Sequence, residues 1–212
     1  MYVKDSMTRD VQTVKPNQAV SEVIAIISET KLRRIPVVDD NNKLVGMITE
    51  SIISSNTPTK ASSLSVFEIN YLLNKLKISD IMIKDPITIG EDALLEEAAT
   101  LMNEKKIGCL SVVDNNNTLI GIITRNDIFT AFINLLGYNH NGMRYVINVK
   151  EDKLGIMEAI SRCFKENNVS ISNLAVYNTS RGIEVVVISD GKNDISKQLI
   201  DNGFNVTSVL SL

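Results

Sequence analysis

Apolar and polar residues along this chain follow two periods, and the same succession of periods occurs twice. Val20, Val23, Ile24 and Ile27 recur at helical spacing and predict a helix over about 19–30. Leu94, Ala98, Leu101 and Met102 give a second apolar stripe and predict a helix over about 93–105. Each helix is preceded by a short extended piece (12–15 and 87–89) and followed by two β-rich runs, 35–39 and 44–49 in one case, 110–114 and 119–124 in the other. Asp40-Asn41-Asn42 and Asn115-Asn116-Asn117 join the runs. Asn and Asp tolerate left-handed backbone angles, so both triplets predict hairpin turns. A further helix is expected after Thr49 and after Thr124.

This succession is an internal repeat. A gapless shift of 75 positions carries residues 7–53 onto 82–128: Met7 falls on Met82, Thr13 on Thr88, Val37-Val38-Asp39 on Val112-Val113-Asp114, Gly46 on Gly121, and Ile48-Thr49 on Ile123-Thr124. About a third of the positions are identical, and most others exchange one apolar residue for another. Each β-α-β-β-α unit is too small to bury its sheet alone, so the two copies are expected to pack face to face about a pseudo-twofold.

Between them, residues 54–64 are rich in Ser, Thr, Pro and Lys and read as an exposed loop. Ser65 to Leu76 then reads as a helix, with Ser65 and Glu68 in a capping-box pattern and Phe67, Ile69, Leu72, Leu73 and Leu76 as an apolar stripe expected to pack against the tandem unit. The expected organisation is a tandem pair over 1–137 (first repeat about 7–53, inserted loop and helix about 54–77, second repeat about 78–136), a polar glycine-bounded linker at 138–142, and a separate domain over 143–212. That last stretch reads as strand (145–149), helix (154–167, with Ile156, Ile160, Cys163 and Phe164 inward), strand (171–177), strand (183–188), short helix (194–201) and strand (204–209). This β-α-β-β-α-β order is the ferredoxin-like split βαβ arrangement. The expected fold class is α+β, a mixed α/β chain.

Composition narrows the function. Of 212 residues, 44% are apolar and 22% charged, ordinary for a soluble globular protein, and the net charge of -3 argues against general nucleic-acid binding. No apolar run approaches the ~18 residues a membrane span needs, and the first seven residues place a charge pair where a signal peptide would become apolar. A cytoplasmic protein with no membrane partner is expected. Two cysteines far apart in sequence and a single histidine, His140 in the linker, make a metal site or a disulfide framework a poor reading. Neither a G-x-S-x-G nor a P-loop pattern occurs, and no G-x-G-x-x-G follows a strand, so no enzymatic activity is expected and no cofactor is required.

Gly121-Ile122-Ile123-Thr124-Arg125-Asn126-Asp127 closes a strand and opens a helix. One reading is a capping box, with Thr124 as N-cap and the acid favourable at the positive helix end. The other uses the same geometry for a ligand: free N–H groups and the Thr124 hydroxyl meet a phosphate, the Asp127 carboxylate accepts both hydroxyls of a ribose, and Gly121 allows a ligand close to the backbone. The first repeat, Gly46-Met47-Ile48-Thr49-Glu50-Ser51-Ile52, has isoleucine where Asp127 stands. Thr49 therefore caps its helix without an acid, and the scaffold does not require Asp127.

The duplicated unit resembles a tandem pair of CBS domains, whose nucleotide signature G-h-x-[ST]-x-x-D residues 121–127 satisfy at every position. The resemblance implies an adenosine-containing ligand, an adenine nucleotide or S-adenosylmethionine, with Asp127 on the ribose and Thr124 on ribose or phosphate. Pro86, Ile87, Thr88 and the strand entry at Cys109-Leu110 would frame the base. Only one of the two clefts has the ribose acid, so one competent site per chain is expected. Lys31, Arg33, Arg34 and Arg125 are the cations available for phosphates, with Arg33-Arg34 read either as such a pair or as an ordinary solvated one.

The C-terminal region resembles an ACT domain, through Asp152-Lys153-Leu154-Gly155-Ile156 after its first strand, similar to that family's D-x-x-G-h. The resemblance implies an amino-acid ligand near Asp152, Leu154, Gly155 and Ile156; Ser170 stands where ligand-binding members often carry asparagine, and a purely structural turn is the other reading. The order CBS, CBS, ACT is similar to acetoin-utilisation AcuB-type proteins. That implies a non-catalytic, ligand-sensing homodimer acting on acetoin or related carbon metabolism. The alternative is a structural or interaction dimer module that regulates a partner enzyme without binding nucleotide.

Overall fold

A computed structural model describes residues 1–57, 65–150, 154–180 and 182–212. Of the loop expected at 54–64, residues 54–56 instead close the helix Glu50–Asn56, and 58–64 lie outside the described residues, as does the candidate ligand residue Asp152. The chain folds as two compact units, Met1–Ile128 and Phe129–Leu212.

In the first unit the first repeat forms α1 (Val20–Thr30), β1 (Arg34–Val38), β2 (Leu44–Thr49) and α2 (Glu50–Asn56). Two inserted helices, α3 (Val66–Lys75) and α4 (Ile78–Ile81), lead to β3 (Ile83–Lys84), and the second repeat gives β4 (Thr88–Ile89), α5 (Leu95–Glu104), β5 (Cys109–Val113), β6 (Leu119–Thr124) and α6 (Arg125–Leu135). The strands form two three-stranded sheets, β1-β2-β3 and β4-β5-β6. Their registers repeat: Val37 lies opposite Gly46 and Val112 opposite Gly121, while the parallel pair Ile89 and Val112 has its counterpart in the single bridge between Val14 and Val37.

The pseudo-twofold is visible bond by bond at the hairpins. Asn42 and Asn117 both adopt left-handed backbone (φ 60° and 59°). Leu44 N–H donates to Asn117 O and Leu119 N–H to Asn42 O (3.1 and 3.0 Å), and each Asn side-chain amide donates to the opposite leucine carbonyl (3.0 and 2.9 Å). Val38, Leu44 and Leu119 are buried together beneath these turns.

The repeats also exchange their leading segments. β3 pairs with β2 of the first repeat, and Thr8 pairs with Ile122 of β6 through two 2.9 Å backbone bonds. Upstream, Tyr2 bridges Leu94 and Lys77 bridges Ala19, which buries Val3 and Ile78 completely. The equivalence therefore begins ahead of Met7, with Asp5 and Asp80 each accepting the N–H three residues earlier (2.8 and 3.0 Å).

Burial corrects two apolar stripes. In α5 the inward residues are Leu95, Ala98 and Met102, whereas Leu94 caps the helix and is exposed. The shift of 75 already sets Leu95 opposite fully buried Val20, so the repeat was the better guide than spacing alone. In α3 the capping box forms as expected, with Ser65 N–H donating to Glu68 at 2.7 Å. Leu73 is buried with Ile69 and Leu76 beside it, but Phe67 and Leu72 are exposed because only one side of this ten-residue helix meets the core of the first repeat. Each aliphatic side chain fully buried there, such as Val20 or Ile35, contributes about 1.5–3 kcal/mol.

The second unit runs β7 (Gly142–Val149), α7 (Ile156–Glu166), β8 (Ile171–Thr179), β9 (Gly182–Asp190), α8 (Ser196–Asp201) and β10 (Asn205–Ser211). Its sheet is antiparallel in the order β10-β7-β9-β8, the split βαβ topology. Alternate residues Tyr145, Ile147, Val185 and Val187 form a core with Ile160, Cys163, Phe164 and Leu199 of the helices. Tyr145 and Phe164 meet edge to face at 5.5 Å. Helix α7 starts at Ile156 rather than 154, because Gly155 at φ 87° lies outside helical backbone. The boundary between units falls within α6 rather than in the 138–142 linker: Asn173 donates to Leu135 O, and Gly137 packs on Ile188, so this end of α6 belongs with the second sheet.

Candidate functional site

Thr124 ends β6 and Asp127 lies in the first turn of α6, so the strand-to-helix turn sets both side chains at one point. Asp127 Oδ2 accepts from Thr124 N–H at 2.7 Å and from its hydroxyl at 2.8 Å. Both residues are half-buried. No hydrogen bond to Asp127 Oδ1 is formed by any described residue, which leaves one carboxylate oxygen available. At the start of α2, Thr49 Oγ1 accepts from Ile52 N–H at 3.2 Å with no acid present. The two helix starts share a cap and differ by one carboxylate.

Gly121 has a neighbour other than a ligand. A Cβ placed on it would stand 2.6 Å from Met7 Sδ and 3.1 Å from Thr8 O, and Gly46 faces Met82 and Ile83 in the same way. These glycines admit the exchanged leading segments, and Met7 fills the side on which a ligand was expected to approach.

The exchange also decides which predicted residues meet. A cleft of about 300 Å³ is lined from the first repeat by Arg34, Met47 and Thr49. The second repeat contributes Ile83, Asp85, Pro86 and Ile87 from its leading segment, and Lys106, Ile107, Gly108 and Cys109 from the entry to β5. Pro86, Ile87 and Cys109 are thus brought together, but with Thr49 rather than with Thr124 and Asp127, because β3 adds to β2. Beside Thr124 lies the leading segment of the first repeat, joined by the Thr8–Ile122 bridge. Thr88 pairs with Ser111 in the sheet and Leu110 is fully buried in the core, so neither lines the cleft.

The cations separate likewise. The Arg34 guanidinium lies over Gly108, where a Cβ would come within 2.7 Å of it. Arg33 turns to Glu50 at 3.8 Å, with both side chains largely exposed. Arg125 Nε donates to Ile107 O at 3.1 Å, and Lys31 closes α1 in left-handed backbone. Burial pushes the Cys109 thiol above the ordinary range, opposed by Arg34. Spacing alone missed Lys106, Gly108 and Asp85; Lys106 is the repeat counterpart of Lys31 and could have been found by the shift.

In the second unit a cavity of about 580 Å³ is lined by Asn148, Val149 and Lys150 at the end of β7, by Ile156, and by Gly203, Phe204 and Asn205. Of the residues expected around a ligand there, Ile156 reaches it. Leu154, Gly155 and Ser170 are exposed elsewhere on the surface, and Ser170 O accepts from Asp190 N–H.

The model of the CBS domain matches residues 3–55 and 78–134. The chain belongs to the CBS domain family. Its CBS pair is 35% identical over 126 residues to the uncharacterised protein MJ1232 of Methanocaldococcus jannaschii, covering 59% of this chain and 38% of that one. It is 31% identical to homoserine O-acetyltransferase of Methanohalobium evestigatum, covering 60% of this chain and 23% of the enzyme. The chain thus spans well under half the length of these relatives. Among solved structures, CBSX2 in complex with AMP is 31% identical (TM-score 0.53), covering 63% of this chain and 96% of that one. The CBS domain pair of protein MJ0100, in complex with 5′-methylthioadenosine and S-adenosyl-L-methionine, is 29% identical (TM-score 0.51; 62% and 99%). A putative acetoin utilization protein (AcuB) from Vibrio cholerae is 30% identical (TM-score 0.54; 65% and 93%). No helix among the described residues is long and apolar enough to cross a membrane.

Proposed function

We propose that the protein is a non-catalytic, ligand-sensing regulator that binds an adenosine-containing molecule, an adenine nucleotide or S-adenosylmethionine, at Thr124 and Asp127. The observation that carries this reading is the carboxylate at the start of α6, held through Oδ2 with Oδ1 open, where the other repeat caps α2 without an acid. The open Oδ1 accepts from the ribose hydroxyls, and the N–H groups of the helix start offer donors to the rest of the ligand. By the pseudo-twofold, the walls of this site are residues 10–12 of the exchanged leading segment, counterparts of Asp85, Pro86 and Ile87, with Lys31 and Arg33 as counterparts of Lys106 and Gly108. The complexes of CBSX2 with AMP and of MJ0100 with two adenosine derivatives support the ligand class.

The C-terminal unit is read as an ACT module, on the split βαβ order and the cavity at Ile156, and takes an amino acid there. The likeness to AcuB supports a role in acetoin or related carbon metabolism, and the chain acts as a homodimer. Thermal unfolding with AMP, ADP, ATP, S-adenosylmethionine and NADH tests the sensor reading, since a ligand at ~100 times its Kd stabilises by about 2.7 kcal/mol. No shift with any of them refutes it; a shift that survives Asp127→Ala refutes the site. A second reading, a ligand-free interaction module, is favoured by Phe67, Tyr71 and Leu72, exposed along α3. Unchanged sedimentation of Phe67→Glu would sink that one.

A further inference from the structure

We propose that the outward face of α3 is a surface on which two copies of this chain pair, antiparallel about a twofold axis. The matched CBS segments end at residue 55 and resume at 78, so α3 belongs to the insertion and the family scaffold does not require it. Leu73 turns to the core of the first repeat. At about 100° per residue, the opposite side of the helix carries Phe67, Tyr71 and Lys75. Phe67 is 89% exposed and Tyr71 58%, two rings one turn apart on a single face. Apolar surface gathered in this way marks an interaction site rather than ordinary scatter. Beside the rings a groove of about 380 Å³ runs along the same helix, walled by Leu72, Leu73 and Leu76 and closed by Asn56 and Asp80. An aromatic side chain is the kind of anchor that such a pocket takes.

Charge selects the occupant. Glu68 lies in the first turn of α3 and Lys75 in the last. The Ser65 N–H and hydroxyl both donate to Glu68 Oε2 at 2.7 Å, which holds the carboxylate at the helix start, and the Lys75 ammonium lies over the Tyr71 ring at 4.5 Å. In an antiparallel pair with its twofold between Tyr71 and Leu72, Glu68 faces Lys75 of the second copy and Lys75 faces Glu68 of the second copy. The same register lays Phe67 opposite Leu76 of the second copy, at the mouth of its groove, and Tyr71 opposite Leu72. A parallel pair would set like charges together, and a partner of one sign would match only one end of the face. A ten-residue helix is small against the roughly 20–30 residues a side of a standard interface, so the dimer is expected to depend on concentration. This inference rests on the homodimer reading and is independent of nucleotide binding.

The test is sedimentation velocity of the full chain over a dilution series. The wild type is expected to pass from dimer to monomer on dilution, and Phe67→Glu to weaken association about tenfold or more, the loss of a buried anchor. Lys75→Glu is expected to weaken it as well, by setting two acids against each other at both ends of the pair. Adding Glu68→Lys to Lys75→Glu is expected to restore most of that loss, because each pair is then reversed rather than broken. The capping bonds of Glu68 are missing from that double variant, so its recovery cannot come from a firmer α3. Should Phe67→Glu not fold, the charge reversal decides. A wild type that is monomeric at every concentration overturns the proposal together with the homodimer reading. A dimer indifferent to Phe67→Glu and to Lys75→Glu overturns the proposal and leaves the homodimer to another surface. Weakening by Lys75→Glu with no recovery in the double variant overturns the antiparallel pairing.

Discussion

Replacing Gly121 by alanine separates the two uses that its position allows. The new methyl would lie 2.6 Å from Met7 Sδ and 3.1 Å from Thr8 O. Met7 is buried at 9% exposure, and Thr8 is held to Ile122 by two 2.9 Å bonds, so neither neighbour yields freely. Forcing a methyl into such packing costs about 1–3 kcal/mol, and the stiffer unfolded chain returns about 0.4–1, for a net loss of ~1–2. Met7→Ala alone leaves a cavity and costs about 2–5 kcal/mol. In the double variant Sδ and Cγ are gone and the Thr8 carbonyl is the remaining close neighbour, so the losses should fall short of their sum by about 1 kcal/mol. Scanning calorimetry of the first unit's transition reads this as a few degrees of Tm. Strict additivity would refute the packing role. So would an unchanged Tm for Gly121→Ala together with weakened nucleotide binding, the signature of a glycine kept for ligand approach.

In the second unit, Tyr145→Phe is expected to cost about 1–3 kcal/mol, because the buried hydroxyl donates to Asn193 O and accepts from Ile195 N–H, both at 3.1 Å, and chemical denaturation will report it. The Ser65 N–H and hydroxyl hold the Glu68 carboxyl below its ordinary range. A depressed folded value means that the cap is at full strength above the ordinary glutamate value and fades as pH falls through the depressed one. Amide exchange in the first turn of α3 should therefore lose protection in that acid window; Ser65→Ala, which keeps the backbone N–H, should weaken the pH dependence, and Glu68→Gln should abolish it. Burial raises the Cys109 thiol, so iodoacetamide should modify it more slowly at neutral pH than a free cysteine, and Arg34→Ala should slow it further by removing the opposing charge.

The repeat made most of the first unit legible, because gapless identity fixes register and hairpins together. Asn42 and Asn117 were readable as turn residues from chemistry alone, and the structure uses both in left-handed backbone. The exchange of leading segments was not readable: nothing in the local pattern of Thr8 or Ile83 says whether it pairs within its own repeat or with the other, since both offer the same edge. That ambiguity misassigned Pro86 and Ile87 to Thr124. Helical spacing failed at Leu94 and Phe67, where a stripe wider than the available core leaves one apolar residue in solvent. The hydrogen-bonded pairing of Thr124 with Asp127 was legible because one repeat serves as a control for the other. Arg34 could not be told from Arg33 in sequence; the bare Cα of Gly108 makes the difference in space.

Hydrogen exchange with and without AMP gives the most direct test of the ligand site as the exchanged segments build it. Added protection is predicted at residues 10–13 and 122–127 together, and its loss in Asp127→Ala. Protection confined to 122–127 and 85–88, with residues 10–13 unchanged, would contradict the assignment of the first leading segment to the Asp127 site.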